Sequence, residues 1–241
     1  MSRAEKGGTL LAAFAGRQFK PTVILGVSTV TMITWKYFVS PAYYTEHLSH
    51  RFVWFGDVKT TAAVYCFVGA LVLFGVVPAL IVKFLFGESL AEYGLRMGDA
   101  TRTVRSFLIC GPAVAVIAYF AARDPSFWGE YPINKHAGWS HQAFALHAAT
   151  YFLFYIGWEF QFRGFMQHGL KDSMGPTSAL LVQTMASVVL HLGKPVGETY
   201  GSIVGALVWG LLAYRTRSIY SGLMQHFLLG ILLDWFICHP W

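Results

Sequence analysis

Long apolar segments recur along almost the whole chain and restrict its fold more than any other feature. Segments long enough to cross a bilayer lie at about 21–40, 60–86, 104–122, 142–170, 176–193, 199–214 and 218–237. Because backbone polar groups in lipid must be hydrogen-bonded within their own segment, such segments must be helices. The sequence therefore predicts an all-α, polytopic transmembrane bundle of about seven spans, preceded by an N-terminal interfacial helix at 9–19.

The composition supports a membrane protein and argues against nucleic acid as a partner. Hydrophobic residues make up 55% of the chain and charged residues only 12%, whereas about a quarter of a soluble protein is charged. The net charge is +6, but the basic residues are dispersed, so the bilayer is the predicted partner and nucleic acid is not. No linker or long repeat divides the 241 residues, which predicts a single domain over 1–241, with 1–20 as its interfacial or cytoplasmic N-terminus.

Two opposite charges lie inside the fourth apolar segment, and they are the first candidates for function. Glu159 and Arg163 are surrounded by apolar residues within 157–165. An ionisable side chain in a bilayer costs at least a few kcal/mol, so its default interpretation is a functional site. The alternative is an ion pair between positions four apart on one helix face.

Two later apolar segments each carry a histidine at a comparable depth. Counted from the turn at 172–176 at about 1.5 Å per residue, Glu159 lies roughly 20 Å and His191 roughly 22 Å above that face. His226 lies roughly 12 Å above the same face, and Arg163 lies one turn below Glu159. The depths agree to within about one turn, so these four side chains are predicted to meet.

Polar residues at intervals of four also place these side chains on single helix faces. The three stripes are His147, Tyr151, Tyr155, Glu159 and Arg163; Gln183, Ser187 and His191; and Gly222, His226 and Gly230. Polar stripes on membrane helices face the bundle interior or a wet cavity, which predicts a shared polar centre. His147 and His168 are interpreted as interfacial or structural, and Asp234 as either a ligand or a helix-end residue.

One carboxylate, one guanidinium and two imidazoles can hydrolyse an acyl bond. A carboxylate with an imidazole can activate water, and a second imidazole can stabilise the resulting oxyanion. Arg163 can orient Glu159 through bidentate hydrogen bonds. Glu159, His191 and His226 also match the ligand count of a hydrolytic zinc site. The HExxH helix is missing, so no metal or other cofactor is predicted, and this zinc site stays open as an alternative.

Three motifs over residues 85–237 resemble a known family. They are Trp158-Glu-Phe-Gln-Phe-Arg-Gly164, Ser187-Val-Val-Leu-His191 and His226-Phe-Leu-Leu-Gly230. They resemble those of the CPBP or Abi family of intramembrane proteases, whose eukaryotic members are the type II CAAX prenyl endopeptidases. The resemblance implies peptide-bond hydrolysis by a Glu/His-activated water without a required metal, and it implies a membrane-associated or peptide substrate.

Further residues resemble one bacterial branch of that family. Residues 191–198 (HLGKPVGE), 93–96 (YGLR) and 131–132 (YP) look like this branch. In it, Lys194 and Glu198 sit beside the mouth of the active site, where they bind substrate or pair with each other. The implied location is the bacterial cytoplasmic (inner) membrane. Basic loop residues fall on one side of a seven-span topology, which predicts a cytoplasmic N-terminus.

Three positions depart from the family pattern. Trp158 stands where most members have the first glutamate, Gly230 where asparagine helps to form the oxyanion site, and Ser187 where phenylalanine is usual. Either Glu159 has taken over as the base, or the chain is a non-catalytic relative. Glu198 is a second candidate carboxylate.

These observations give three hypotheses. In the first, the chain is an intramembrane endopeptidase in which Glu159 and His191 activate water, His226 stabilises the oxyanion and Arg163 orients Glu159. In the second, it is a catalytically inactive subunit that binds or helps to assemble a larger membrane complex. In the third, histidines bind haem, a pigment or a metal, the candidates being His147, His168, His191 and His226.

Overall fold

The computed structural model describes residues 16–240, and all regular structure within them is helical. After a 3₁₀ turn at Gly16–Gln18, the helices are α1 (Phe19–Phe38), α2 (Pro41–His47), α3 (Val58–Leu85), α4 (Ala100–Ala121), α5 (His141–Glu159), α6 (Gly169–Met174), α7 (Pro176–Val189), α8 (Val196–Thr216) and α9 (Tyr220–Cys238). A π-helix, Phe160–His168, joins α5 directly to α6, and α3 contains two further π-helical segments, Leu71–Val76 and Ile81–Leu85. The predicted all-α class is confirmed, whereas most of the interfacial helix predicted at 9–19 lies outside the described residues.

The number of membrane spans differs from the prediction. Within residues 16–240, four helices are long and apolar enough to cross a bilayer, namely α3, α4, α8 and α9. The pair α1 and α2, bent by 55°, would make a fifth span if it crosses as one unit. The prediction of about seven spans is therefore not confirmed in number, because α7 has only 14 residues and the α5 helix is rich in polar and ionisable side chains.

Polar side chains at helix ends set several boundaries. Asp57, Asp99 and Ser140 accept hydrogen bonds from backbone amides of the first turns of α3, α4 and α5, at 2.7, 2.9 and 3.1 Å. These bonds satisfy donors that a helix start leaves unpaired. Gly175, at a φ of +82°, separates α6 from α7, and Pro176 opens α7.

The helix that carries Glu159 is the centre of the bundle. Every residue from 157 to 170 is buried, because α1, α3, α7, α8 and α9 enclose this stretch. Its amides bond to neighbouring helices: Gln161 Nε2 donates to Ser28 Oγ and Gln167 Nε2 to the Gly210 carbonyl, both at 2.8 Å. A helix screened from lipid in this way can hold polar groups that a lipid-facing helix cannot.

Close helix approach depends on glycines at two crossings. A Cβ on Gly157 would lie 2.6 Å from the Ala70 carbonyl oxygen, so α5 and α3 touch backbone to backbone. In α8, a Cβ on Gly210 would lie 2.4 Å from Leu180 Cδ1, whereas Gly201 has nothing within 4 Å. In α8, close packing against a neighbouring helix therefore occurs at Gly210 but not at Gly201.

Candidate active site

Glu159 and Arg163 form a buried ion pair, and His226 completes a three-residue cluster. Arg163 Nη1 lies 3.1 Å from Glu159 Oε1, and both side chains are buried. His226 Nδ1 lies 2.8 Å from the same oxygen. The chain therefore brings α5, the π-helix and α9 to one carboxylate, as the depth argument predicted for Glu159 and His226.

The carboxylate is held at one oxygen rather than two. Glu159 Oε1 receives both contacts, whereas Oε2 has no hydrogen-bond partner among the described residues. The Arg163 contact is a close ionic approach without hydrogen-bond alignment, so the bidentate clamp expected from the sequence does not form. Oε2 lies against α9, where a Cβ on Gly222 would be 2.8 Å away. Glycine at this position therefore lets α9 reach Glu159.

The contact with Glu159 sets the tautomer of His226. A carboxylate oxygen only accepts, so the proton of the neutral ring is on Nδ1 and the lone pair is on Nε2. The ring stacks on Trp209 with centroids 4.3 Å apart and meets the Tyr155 ring edge at 4.7 Å. The imidazole is thus oriented by a carboxylate and by two aromatic rings.

His191 also has its lone pair on Nε2, but here a backbone carbonyl fixes the tautomer. Its Nδ1 lies 2.8 Å from the carbonyl oxygen of Ser187, one turn earlier, and a carbonyl only accepts. The neutral ring therefore carries its proton on Nδ1 and its lone pair on Nε2. Ser187 contributes through its backbone, and the His191 ring meets Trp158 edge to face at 5.5 Å.

A small cavity brings the two imidazoles together. Its volume is about 70 Å³, enough for a few water molecules and too small for a peptide. The residues that line it are Trp35, Tyr131, Ile133, Tyr151, Phe154, Tyr155, Trp158, Leu190, His191, Lys194, Glu198 and His226. This lining includes Glu198 but not Glu159. The Glu159 carboxylate is bonded to His226, which lies between it and the cavity.

Lys194 and Glu198 form the polar rim of this cavity. Lys194 Nζ lies 3.6 Å from Glu198 Oε1 and 3.7 Å from Glu130 Oε2, and it donates to Tyr131 Oη at 2.8 Å. Tyr131 in turn donates to Glu198 Oε1 at 2.6 Å. Burial, with the charge of Glu198, raises the pKa of Tyr131 well above its ordinary value, so the phenol keeps its proton. The structure pairs the two rim residues with each other.

A larger open cavity adjoins the small one. Its volume is about 750 Å³, and Trp35, Ile133 and Lys194 border both spaces. Its ionisable lining is Lys36, Glu46, Lys59, Cys66, Glu130, Lys135 and Lys194. The larger cavity has room for an extended segment beside the three residues that it shares with the small cavity.

Trp158 belongs to an aromatic cluster rather than to the polar one. It is only 3% exposed. Its ring lies 5.4 Å from Phe154, 5.8 Å from Trp35 and 5.9 Å from Phe74. The side chain forms an apolar wall of the small cavity at the position where the resemblance leads one to expect a carboxylate.

Asp234, interpreted from sequence as a ligand or a helix-end residue, does not line the small cavity. Its Oδ2 is 2.7 Å from His147 Nε2, and both side chains are fully buried. His168 is also buried and does not line the small cavity. His147 and His168 are thus separate from His191 and His226, and binding of haem or pigment stays a prediction that an absorbance spectrum would test.

The described residues contain no group of three His, Cys, Asp or Glu side chains arranged to hold a metal ion. Glu159, His191 and His226 do not converge on one point, because Glu159 reaches the cavity only through His226. The zinc site considered from the sequence stays a prediction.

Tyr155 and Tyr131 line the small cavity but were not predicted to belong to the site. Tyr155 was visible only as one member of the polar stripe of α5, and Tyr131 only as part of a short motif. Their contacts depend on helix rotation and on the course of a loop, which spacing does not specify.

Comparison with known proteins gives a match to a protein family. A family model described as Type II CAAX prenyl endopeptidase Rce1-like matches residues 139–232. No curated protein and no solved structure matches the chain. The matched residues include Glu159, Arg163, His191 and His226. They fall within the region 85–237 that carries the motifs. With the apolar helices, this match supports a membrane protein related to the CPBP family.

Proposed function

We propose that the chain is an intramembrane endopeptidase that hydrolyses a peptide bond near the membrane surface. One observation carries the proposal: two imidazoles border a water-sized cavity, and one of them is held by a buried carboxylate. Each ring has its lone pair on Nε2, because each Nδ1 is bonded to an acceptor. Two such nitrogens can bind both hydrogens of one water.

In this proposal the roles of the residues differ from those predicted from the sequence. His226 Nε2 takes a proton from the water, and Glu159 stabilises the imidazolium that forms. The hydroxide adds to the carbonyl carbon of the scissile bond while His191 orients it. The C–N bond of the resulting tetrahedral species then breaks, and His226 returns the proton to the amine nitrogen. Glu159 is therefore a positioning residue, whereas the sequence analysis paired it with His191.

Arg163 balances the charge of Glu159 in the apolar interior. The pair is buried, and the Arg163 guanidinium also lies 5.7 Å from the Trp209 ring that stacks on His226. An uncompensated carboxylate would be strongly unfavourable at this depth. Arg163 thus supports both groups that hold the imidazole.

The substrate occupies the larger cavity in this proposal. A volume of about 750 Å³ accepts a peptide segment, and the shared border at Lys194 leads to the imidazoles. Glu198, Lys194 and Tyr131 bind the polar groups of the peptide at the rim. We place the protein in the bacterial cytoplasmic membrane with its N-terminus in the cytoplasm, so that the cavity opens on the opposite side.

Cleavage of a farnesylated peptide ending in a CAAX sequence, by protein reconstituted in vesicles, tests the proposal. We expect His226→Ala, His191→Ala and Glu159→Gln each to lower kcat by about 100-fold or more. Glu88→Gln, which removes a carboxylate from the Lys20 ion pair outside the site, is the matched control and should retain activity. Full activity of both Glu159→Gln and His226→Ala would refute the assignment.

A second candidate is an inactive subunit that binds or assembles a larger membrane complex. The aromatic burial of Trp158 and the missing side chain at Gly230 favour it. Purification of the tagged chain from its native membrane distinguishes the two. A stoichiometric membrane partner, with no peptide cleavage and no effect of Glu159→Gln on assembly, would support this candidate.

A further inference from the structure

Gly230 lies where α9 meets the hydroxyl of Tyr155, and this contact extends the proposed function. A Cβ on Gly230 would lie 1.9 Å from Tyr155 Oη and 2.8 Å from Cζ. Any side chain at 230 would therefore collide with the phenol. The absent side chain of α9 is replaced in space by a hydroxyl from α5.

We propose that Tyr155 is a further catalytic residue, whose hydroxyl donates a hydrogen bond to the oxyanion of the tetrahedral species. This inference rests on the proposed endopeptidase function. It assigns to α5 the oxyanion donor that α9 lacks at Gly230.

The position of Tyr155 fits that role. Its ring meets the His226 ring at 4.7 Å, and both residues line the small cavity. Gly230 follows His226 by one helical turn, and Tyr155 precedes Glu159 by one turn. The base and the phenol therefore border the same space, in which the water and the carbonyl carbon must meet.

The chemistry of the phenol also fits. The side chain is 4% exposed, so water competes little with a bound oxyanion. The neighbouring Tyr151 ring is 4.7 Å away. A phenol hydroxyl carries one proton, which it can donate in a hydrogen bond. Tyr155 keeps that proton throughout, so the proton transfers of the proposed reaction are unchanged.

A donor aimed at an oxyanion acts on the transition state more than on the bound substrate. Removal of one such donor typically lowers kcat by 10²–10³-fold. We therefore expect Tyr155→Phe to lower kcat for the farnesylated CAAX peptide by about 100-fold, with KM changed by less than about three-fold. Phenylalanine keeps the ring against His226, so a purely structural role would be preserved in this variant.

A rescue variant separates donation from packing. Tyr155→Leu opens room beside Gly230, and Tyr155→Leu combined with Gly230→Asn supplies an amide donor from α9. We expect the double variant to exceed Tyr155→Leu in kcat by about ten-fold or more. Tyr93→Phe, which removes a buried phenol hydroxyl bonded to Glu88 outside the site, is the matched control and should keep wild-type kcat.

The outcomes separate this inference from the proposed function. If the wild type cleaves the peptide, Glu159→Gln does not, and Tyr155→Phe keeps kcat within about two-fold, the oxyanion role is wrong and the endopeptidase stands. If neither the wild type nor any variant cleaves the peptide, both are overturned. Thermal unfolding of each variant in detergent verifies that the compared proteins are folded.

Discussion

Glu159 and Arg163 illustrate how a buried charge depends on its partner. The pair is buried, and Arg163 Nη1 lies 3.1 Å from Glu159 Oε1. Removing the guanidinium alone leaves a carboxylate with only His226 beside it. At the residue scale, the contributions of Glu159 and Arg163 to the stability of the protein are therefore strongly coupled.

We expect Arg163→Leu to destabilise the protein by about 3–5 kcal/mol, because it strands a buried carboxylate. The double variant Glu159→Leu/Arg163→Leu should be less destabilised than Arg163→Leu, since no charge is then left unpaired. Thermal unfolding in detergent measures both. If the double variant is the less stable of the two, the pair is not an enclosed ion pair of the kind described.

The residue scale also shows where sequence reasoning stops. Spacing of four along one helix predicted that Glu159 and Arg163 would meet, and helix depth predicted that His226 would come near. Neither could show that Glu159 lies behind His226 instead of on the cavity, or that the Tyr155 hydroxyl fills the space at Gly230. Those facts depend on the rotation of α5 against α9, which the close approach at Gly222 helps to set.

At the scale of elements, the crossing of α3 and α5 is the closest backbone contact next to the site. A Cβ at Gly157 would meet the Ala70 carbonyl oxygen at 2.6 Å, and backbone cannot move aside as a side chain can. The two helices therefore fix the axial position of the segment that follows, which includes Trp158 and Glu159.

Gly157→Ala should separate α3 from α5 and destabilise the protein by about 1–3 kcal/mol. Gly201→Ala is its matched control, because that helical glycine has nothing within 4 Å. Alanine is the better helix former, so the control should be neutral or stabilising by up to about 1 kcal/mol. Equal melting temperatures for the two variants would contradict the described crossing.

The sequence located each long helix to within a few residues, because apolar length is a strong signal. It did not predict the π-helix Phe160–His168, where one region of a continuous helix changes its hydrogen-bond register. Nothing in the composition of 160–168 marks such a change. π-Helical turns are frequent at functional sites, and this one begins directly after Glu159.

At the scale of the whole molecule, an ion pair ties α1 to the segment after α3. Lys20 Nζ lies 2.7 Å from Glu88 Oε2, and Tyr93 Oη donates to the same oxygen at 2.5 Å. Partial burial acts to raise the pKa of Glu88, but the hydrogen bonds from Lys20 and Tyr93 outweigh it and hold that pKa below its ordinary value of 4.5. This contact lies outside the matched region 139–232.

A lowered carboxyl pKa stabilises the fold above the ordinary value and loses that effect as pH falls through the lowered one. Glu88→Gln should therefore be less stable than the wild type near pH 7, by at most about 1 kcal/mol because the pair is partly exposed. The difference should disappear as pH falls below about 4.5. Chemical unfolding in detergent at a series of pH values measures it, and a difference that grows in acid would contradict the pairing.

The larger cavity is a feature of the whole molecule that no single segment predicts. The larger cavity is bordered by α1, α2, α3 and the segments at 129–135 and 194, so it exists only after the bundle assembles. The number of spans likewise depends on which helices face lipid. Composition alone cannot show that a helix is screened by its neighbours.

That screening has a consequence for how the protein is made. The segment from 157 to 170 is buried on all sides, and the helix that contains it is not among those apolar enough to cross a bilayer by themselves. For a nascent helix that carries Glu159 and Arg163, transfer from the insertion machinery into lipid without other helices is barely favourable in free energy. Its partitioning into lipid therefore depends on helices that are already in the membrane, above all α3, so the segment that carries Glu159 is integrated as part of a group.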